Sequence, residues 1–174
     1  MIHFKTSLHK IGKWNIIKIP QHVSAILPSR GQVMVKGTIQ NYDIEQVLEP
    51  DGVGGHWLKI DQKLQKALNL VVGSNVSVAI EPIKEWLEPS KPKDFLKALN
   101  EAPHTVQDLW DDITPMARWE WVRWINATNE INTRNRRIEV SISKMNAGKR
   151  RPCCFNLSSC TDPDLSRSGK LIDL

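Results

Sequence analysis

Nine basic side chains lie between residues 118 and 151, namely Arg118, Arg123, Arg134, Arg136, Arg137, Lys144, Lys149, Arg150 and Arg151, against three glutamates. Seven of the nine are arginine, whose planar guanidinium matches a carboxylate or phosphate better than the point charge of lysine. Two readings are open. The stretch either takes an anion, or it is a solvated helix face that pairs with Asp108, Asp111 and Asp112 just upstream.

An aromatic signal lies next to it. At about 100° per residue, Ala117, Trp121, Val122, Trp124 and Ile125 share one face of a helix over 114 to 128, which assigns Trp121 and Trp124 to a core. Trp119 falls off that face, among Glu120, Arg123 and Asn126, with Arg123 one turn on and in cation–π reach. An exposed Trp beside Arg suits recognition, whereas a helix that buries two faces would pack Trp119 against the N-terminal part. The candidate binding residues are Trp119, Arg123, Arg134 and Arg137, lining a groove between the two parts of the chain and taking an anionic ligand or a protein. An alternative partner is nucleic acid, held by Arg136, Arg137, Lys144, Lys149 and Arg150, since aromatics interleaved with arginine serve single-strand binders. No helix-turn-helix, zinc-finger or ribonucleoprotein signature accompanies them.

Other chemistry is thinly represented. Cys153, Cys154 and Cys160 are odd in number and lack the paired spacing of a zinc site, so neither a disulfide framework nor a metal is expected; a thiol made reactive by the neighbouring arginines is a further option. His3, His9, His22, His56 and His104 are scattered singly. Gly52, Gly54 and Gly55 lack the lysine-serine or lysine-threonine ending of a phosphate loop and lead into a strand, which makes them a turn. No nucleophile elbow or paired carboxylates stand out, so the expectation is a non-enzymatic protein without cofactor.

The elements that must position these residues fall into two groups. Alternation from His3 to His9 and from Lys13 to Pro20, with Gly12 between, predicts a hairpin. A short helix over 21–27 follows, then strands over 32–39, 42–48 and 56–60, a helix over 63–70 stopped by Gly73, and a strand over 75–80. Pro82, Pro89 and Pro92 interrupt any regular element. Beyond them come helices over 94–101 and 105–111, one opened by Thr114-Pro115, and one from about Glu130 to Ala147 that ends at Gly148 and groups Ile131, Ile138, Ile142 and Met145 on one arc. This is an α+β chain, a small closed β-barrel followed by an α-helical module. The expected divisions are 1–82, a junction at 83–93, a helical domain at 94–148 and a tail at 149–174 whose Thr161-Asp162-Pro163-Asp164 and Ser166-Arg167-Ser168-Gly169 look mobile.

The 174 residues are 40% apolar and 25% charged with a mean hydropathy of -0.37, which excludes collagen-like and wholly disordered classes. No apolar run approaches the roughly eighteen residues of a membrane span, and the first residues lack a secretory pattern, so the cytoplasm is the expected location. The net charge of +5 is uneven: about +3 over 1–87, about -3 over 88–117, about +6 over 118–151 and about -1 over the rest.

Phe4, Ile17-Lys18-Ile19-Pro20, Val35-Lys36-Gly37-Thr38-Ile39, Gly52-Val53-Gly54-Gly55-His56-Trp57-Leu58 and Gly73-Ser74-Asn75-Val76 together resemble the DUF1905 family of small bacterial and archaeal domains. Ala117-Arg118, Trp124-Ile125, Thr133-Arg134-Asn135-Arg136-Arg137-Ile138 and Gly148-Lys149-Arg150 resemble the YdeI or OmpD-associated family. The resemblance implies a closed barrel of the double-split type, similar to one used by some DNA-binding transcription factors, then a helical domain linked by name to bacteriocin protection. Gln40-Asn41 stands where asparagine-glycine is usual in the first family, and Ala127-Thr128 where alanine-lysine is common in the second.

Overall fold

The structure, a computed structural model, describes residues 1–152 and 160–172. The chain divides into two compact units, Met1–Glu85 with Lys170–Leu174, and Trp86–Gly169.

The first unit is built on six antiparallel strands: β1 (Ile2–Ile11), β2 (Trp14–Ile19), β3 (Val33–Ile39), β4 (Tyr42–Pro50), β5 (His56–Ile60) and β6 (Asn75–Pro82). They close in the order β1-β2-β5-β4-β3-β6. Two strands change partner along their length. β1 pairs with β6 over Ile2–Ser7 and with β2 over Leu8–Ile11, while β4 pairs with β3 up to Leu48 and with β5 only at Glu49 and Pro50. The inward set Leu8, Ile17, Val35, Ile39, Leu48, Leu58 and Ile80 fills the barrel, as the alternation requires. Two short helices cover the ends, α1 (Gln21–Ser24) and α2 (Gln62–Ala67), the latter capped by the Asp61 carboxylate on the Leu64 amide at 2.7 Å.

The ends of both short helices need correction: α1 stops at Ser24, before the expected end at residue 27. α2 ends at Ala67, before the expected Leu70, because Asn69 takes the left-handed conformation (φ 51°) and a Schellman pair of bonds, Leu70 N–H to Gln65 and Asn69 N–H to Lys66, closes the helix well before Gly73. In the β3–β4 turn, Gln40 adopts φ 54°; its amide N–H reaches the Ser77 carbonyl at 2.7 Å and its side chain the Asn75 carbonyl at 3.2 Å, so bonds to β6 stand in for the missing glycine.

The second unit holds α3 (Lys93–Glu101), α4 (His104–Asp112), α5 (Pro115–Asn126) and α6 (Ile131–Asn146). Pro92 and Pro103 stand immediately before α3 and α4, and Thr114 caps α5 by accepting the Ala117 amide at 3.2 Å, with Pro115 at the first helical position. Phe95, Trp110, Trp121 and Ile125 form the centre, Phe95 edge-on to Trp110 at 5.3 Å and Trp121 edge-on to Trp124 at 6.4 Å. Ile131 is not part of the α6 arc: it opens the helix and is 64% exposed. The segment from Cys160, whose composition suggests mobility, buries Thr161, Leu165 and Ser166 and turns on Leu165 and Ser166 amides donated to the Asp162 carbonyl.

Gly37 is the tightest point of the barrel. Its φ is 154°, and a Cβ there would lie 1.9 Å from the Ala79 carbonyl oxygen on β6. Gly37→Ala is expected to lower stability by roughly 3 kcal/mol by forcing β3 from β6; thermal denaturation of the variant checks this, and a Tm within a degree or two of the parent would contradict it.

Candidate functional site

The last carbonyls of a helix have no partner within it and must find donors elsewhere. In this domain the basic side chains supply them. Arg118 donates Nε to the Trp110 carbonyl at 2.8 Å and Nη2 to that of Asp111 at 2.6 Å, and its remaining Nη1 meets the Glu88 carboxylate. Arg150 completes the same helix end, Nη2 to the Asp112 carbonyl at 3.2 Å and Nη1 to the Asp112 carboxylate at 2.6 Å. At the end of α5, Arg137 Nη1 donates to the carbonyls of Trp124 (2.6 Å) and Ala127 (3.0 Å). Arg134 adds a longer bond to Ile125 (3.4 Å) and one to the Asn126 side chain (2.9 Å). Gln107 does the same for α3, reaching the carbonyls of Asn100 and Ala102. Positive charge at a helix C-terminus also meets the negative end of its dipole.

Arg134 and Arg137 lie three residues apart, so they leave α6 on one side and reach α5 together. Arg134 is further fixed by a two-bond fork to Asp94 on α3, Nε to Oδ2 at 2.6 Å and Nη2 to Oδ1 at 2.9 Å. That fork holds the Asp94 carboxyl below its usual range. Arg137 stands over the Trp124 ring at 5.5 Å and Lys144 over the same ring at 5.6 Å, a pair of cations on a half-buried indole. The threonine-arginine-asparagine-arginine-arginine-isoleucine run is therefore the joint of α3, α5 and α6, and only Arg136 of its arginines points out as an exposed side chain.

The four residues singled out as a groove are all in this domain. Trp119 is half-buried and donates Nε1 to the Leu87 carbonyl at 2.7 Å. Arg123, half-buried, lies one turn along α5 near Glu120. Burial pushes the Glu120 carboxyl up, and the charges of Arg151 and Arg123 partly offset this; Arg151 Nε meets Glu120 at 3.4 Å. Arg134 and Arg137 sit instead at the α3–α5–α6 joint. Of the residues considered for nucleic acid, Arg136, Lys149 and Arg150 are exposed, Arg137 is committed to α5, and Lys144 donates to the Pro152 carbonyl at 3.0 Å.

After α6 the chain turns through Gly148 (φ 79°), with Gly148 N–H on the Met145 carbonyl and Lys149 N–H on that of Lys144, a Schellman ending. The buried Trp121 donates Nε1 to the Arg150 carbonyl at 3.2 Å. Lys149, Arg150 and Arg151 are thus exposed side chains on a backbone pinned from both sides.

The barrel carries a second polar constellation, one that the scattered single histidines did not announce. His56, 1% exposed, places Nε2 3.0 Å from the Gly31 carbonyl, and its backbone N–H reaches the buried Ser24 hydroxyl at 3.1 Å. Asp51, also buried, accepts the amides of Val53 and Gly55 at 2.9 and 2.8 Å and so shapes the glycine-rich turn. Gly55 is required there, since a Cβ would meet the Asp51 carboxylate at 2.3 Å. Cys160 is buried, whereas Cys153 and Cys154 lie outside the described residues. Among the described residues no group of three His, Cys, Asp or Glu is placed to hold a metal ion, and no helix is long and apolar enough to cross a membrane.

These features define a two-domain protein, a closed antiparallel barrel followed by a helical domain whose helix ends are closed by arginines. Residues 4–80 match the family described as Domain of unknown function (DUF1905), and residues 88–148 match the family described as Bacteriocin-protection, YdeI or OmpD-Associated. The two matches follow one another in the order of the barrel and the helices. No curated protein matches the chain.

Two outcomes follow from the arginine contacts. Arg137→Ala is expected to cost about 2 kcal/mol, the value of charged hydrogen bonds in a half-buried place, while Arg136→Ala stays within about 0.5 kcal/mol of the parent; urea denaturation of both variants separates them. Asp94, with its folded pKa below the ordinary 3.8, adds stability in full above that value and loses it as pH falls through the depressed one. The Tm gap between the parent and Asp94→Asn should therefore be constant near neutrality and close below about pH 3.8; a gap that does not change with acidification would contradict the assignment.

Proposed function

We propose that the chain is a non-enzymatic, cytoplasmic binding protein of bacteriocin-protection type, recognising an anionic ligand or an acidic protein surface through the turn Lys149-Arg150-Arg151. The observation that carries this reading is the combination of three adjacent exposed cations with a backbone fixed by Trp121, Lys144 and the Schellman bonds. A pinned backbone loses little entropy when the side chains engage a partner. Arg150 pairs with Asp112 at 2.6 Å and Arg151 with Glu120 at 3.4 Å, both on the surface. Exposed ion pairs of this kind are worth little, so an incoming carboxylate or phosphate exchanges with them readily. Glu120 meets Arg151 and lies near Arg123, so the surface takes in the basic side chain of Arg123 on α5. Arg134 and Arg137 support the surface from within.

Nucleic acid is the second reading, favoured by the consecutive cations and the exposed Arg136. One experiment addresses both. Trp fluorescence is titrated with a poly-glutamate peptide, single-stranded DNA, duplex DNA and RNA, using the parent and a Lys149→Glu, Arg150→Glu, Arg151→Glu variant. The expected result is saturable binding of the acidic peptide that the variant loses while it still unfolds in one cooperative thermal transition, its Tm lowered by the loss of the Arg150 bonds to Asp112. Nucleic-acid binding with a log–log salt slope of about -2 to -3, as two or three phosphate contacts give, would move the second reading to first. Equal binding by parent and variant would remove the turn from either role.

A further inference from the structure

Between α1, the loop bearing Arg30 and the Val53–Gly54 turn lies a cleft of about 440 Å³, within the barrel unit and separate from the helical surface. Its wall contains Ser24, whose side chain is buried and whose Oγ already accepts the His56 amide. A hydroxyl that accepts one bond still has its own proton to donate, and no acceptor takes that proton among the described residues. Gln21, which lines the same cleft, has amide donors, and Arg30 at its rim is exposed with no acidic partner among the described residues. Leu27, Pro28 and Val53 add an apolar stretch to a wall that also includes Ser29 and Gly54.

The rim is held in place from beneath. Gly31, next to Arg30, is tied to the barrel through His56 Nε2; a carbonyl only accepts, so Nε2 carries the proton and Nδ1 is left as a buried acceptor without a partner among the described residues. Asp51 spends one oxygen on the amides of Val53 and Gly55, which sets the opposite rim, and its other oxygen lies beside Gly55. Hydroxyl, amide and guanidinium groups thus line one cleft beside a short apolar wall.

We infer that this cleft is a binding site for a small aliphatic carboxylate, its oxyanion held by Arg30, Ser24 and Gln21 and its carbon chain against Leu27, Pro28 and Val53. An inorganic phosphate shares the oxyanion chemistry but not the apolar part. The test is a ¹⁵N–¹H correlation titration of the full chain with sodium isobutyrate and, separately, sodium phosphate at constant ionic strength. Isobutyrate should shift the amides of Ser24, Ala25, Val53 and Gly54 saturably, and Arg30→Gln, at an exposed position that leaves the fold intact, should weaken binding about tenfold or more, as the loss of a charged hydrogen bond does. Tighter binding of phosphate than isobutyrate would overturn the carboxylate assignment. Shifts that stay linear in concentration for both anions, or an unchanged affinity in Arg30→Gln, would overturn the site.

Discussion

The helical domain depends on one requirement, that the orphan carbonyls at the ends of its helices find donors. α3, α4 and α5 are short and end on residues in extended or irregular conformation, so intrahelical bonds cannot satisfy their last turns. Gln107 closes the first, Arg118 with Arg150 the second, and Arg134 with Arg137 the third. Each donor comes from a later element, so every closure is also a tertiary contact. An arginine can serve two carbonyls and a carboxylate at once because its donors form a fixed fork. Lysine carries its three donors on one atom and lacks the planar fork that matches acceptors spaced in this way.

The barrel meets a comparable constraint with small residues and buried polar groups. Its strands close on one another only if β3 and β6 approach at Gly37, where any side chain would collide with backbone. Its open end is finished by α1 and two loops instead of by strands. Burying His56, Ser24 and Asp51 there would cost several kcal/mol without partners. Their hydrogen bonds to Gly31, to the His56 amide and to the glycine-rich turn recover most of that, and those same bonds fix the loops on either side of the cleft.

What could be read in the sequence was local. Thr114-Pro115 and Gly148 carry helix start and stop signals in one or two residues, and the alternation of β1, β2 and β6 and the β-branched residues of β3 are visible within each strand. The barrel and the helical array followed from those signals and from the family resemblance. Asn69 was missed as a stop because asparagine reaches the left-handed region less often than glycine, and Gly73 four residues on looked the stronger breaker. Ile131 fitted a period of 3.6 but lies in the first turn of α6, where no neighbour covers it. The arginine contacts were out of reach for a different reason. Arg134 and Asp94 are 40 residues apart, and nothing near either residue marks the other.

That distinction bears on how a basic cluster should be read. The excess over 118–151 looks like one electrostatic feature along the chain, yet folding sorts it into two populations by what lies within reach of each fork. Arg118, Arg134 and Arg137 face carbonyl ends and are largely covered, so their charge contributes to stability and little to the field outside. Arg136, Lys149 and Arg151 are exposed and set the potential an approaching partner feels, and Arg150, exposed as well, belongs to both groups because it also reaches the end of α4. The count of cations in a sequence gives the sum of the two. Only the positions of helix ends, which decide where orphan carbonyls fall, separate them, and in this domain Gly148 is what places Lys149, Arg150 and Arg151 beyond the last helix, where the Schellman bonds have already satisfied its carbonyls.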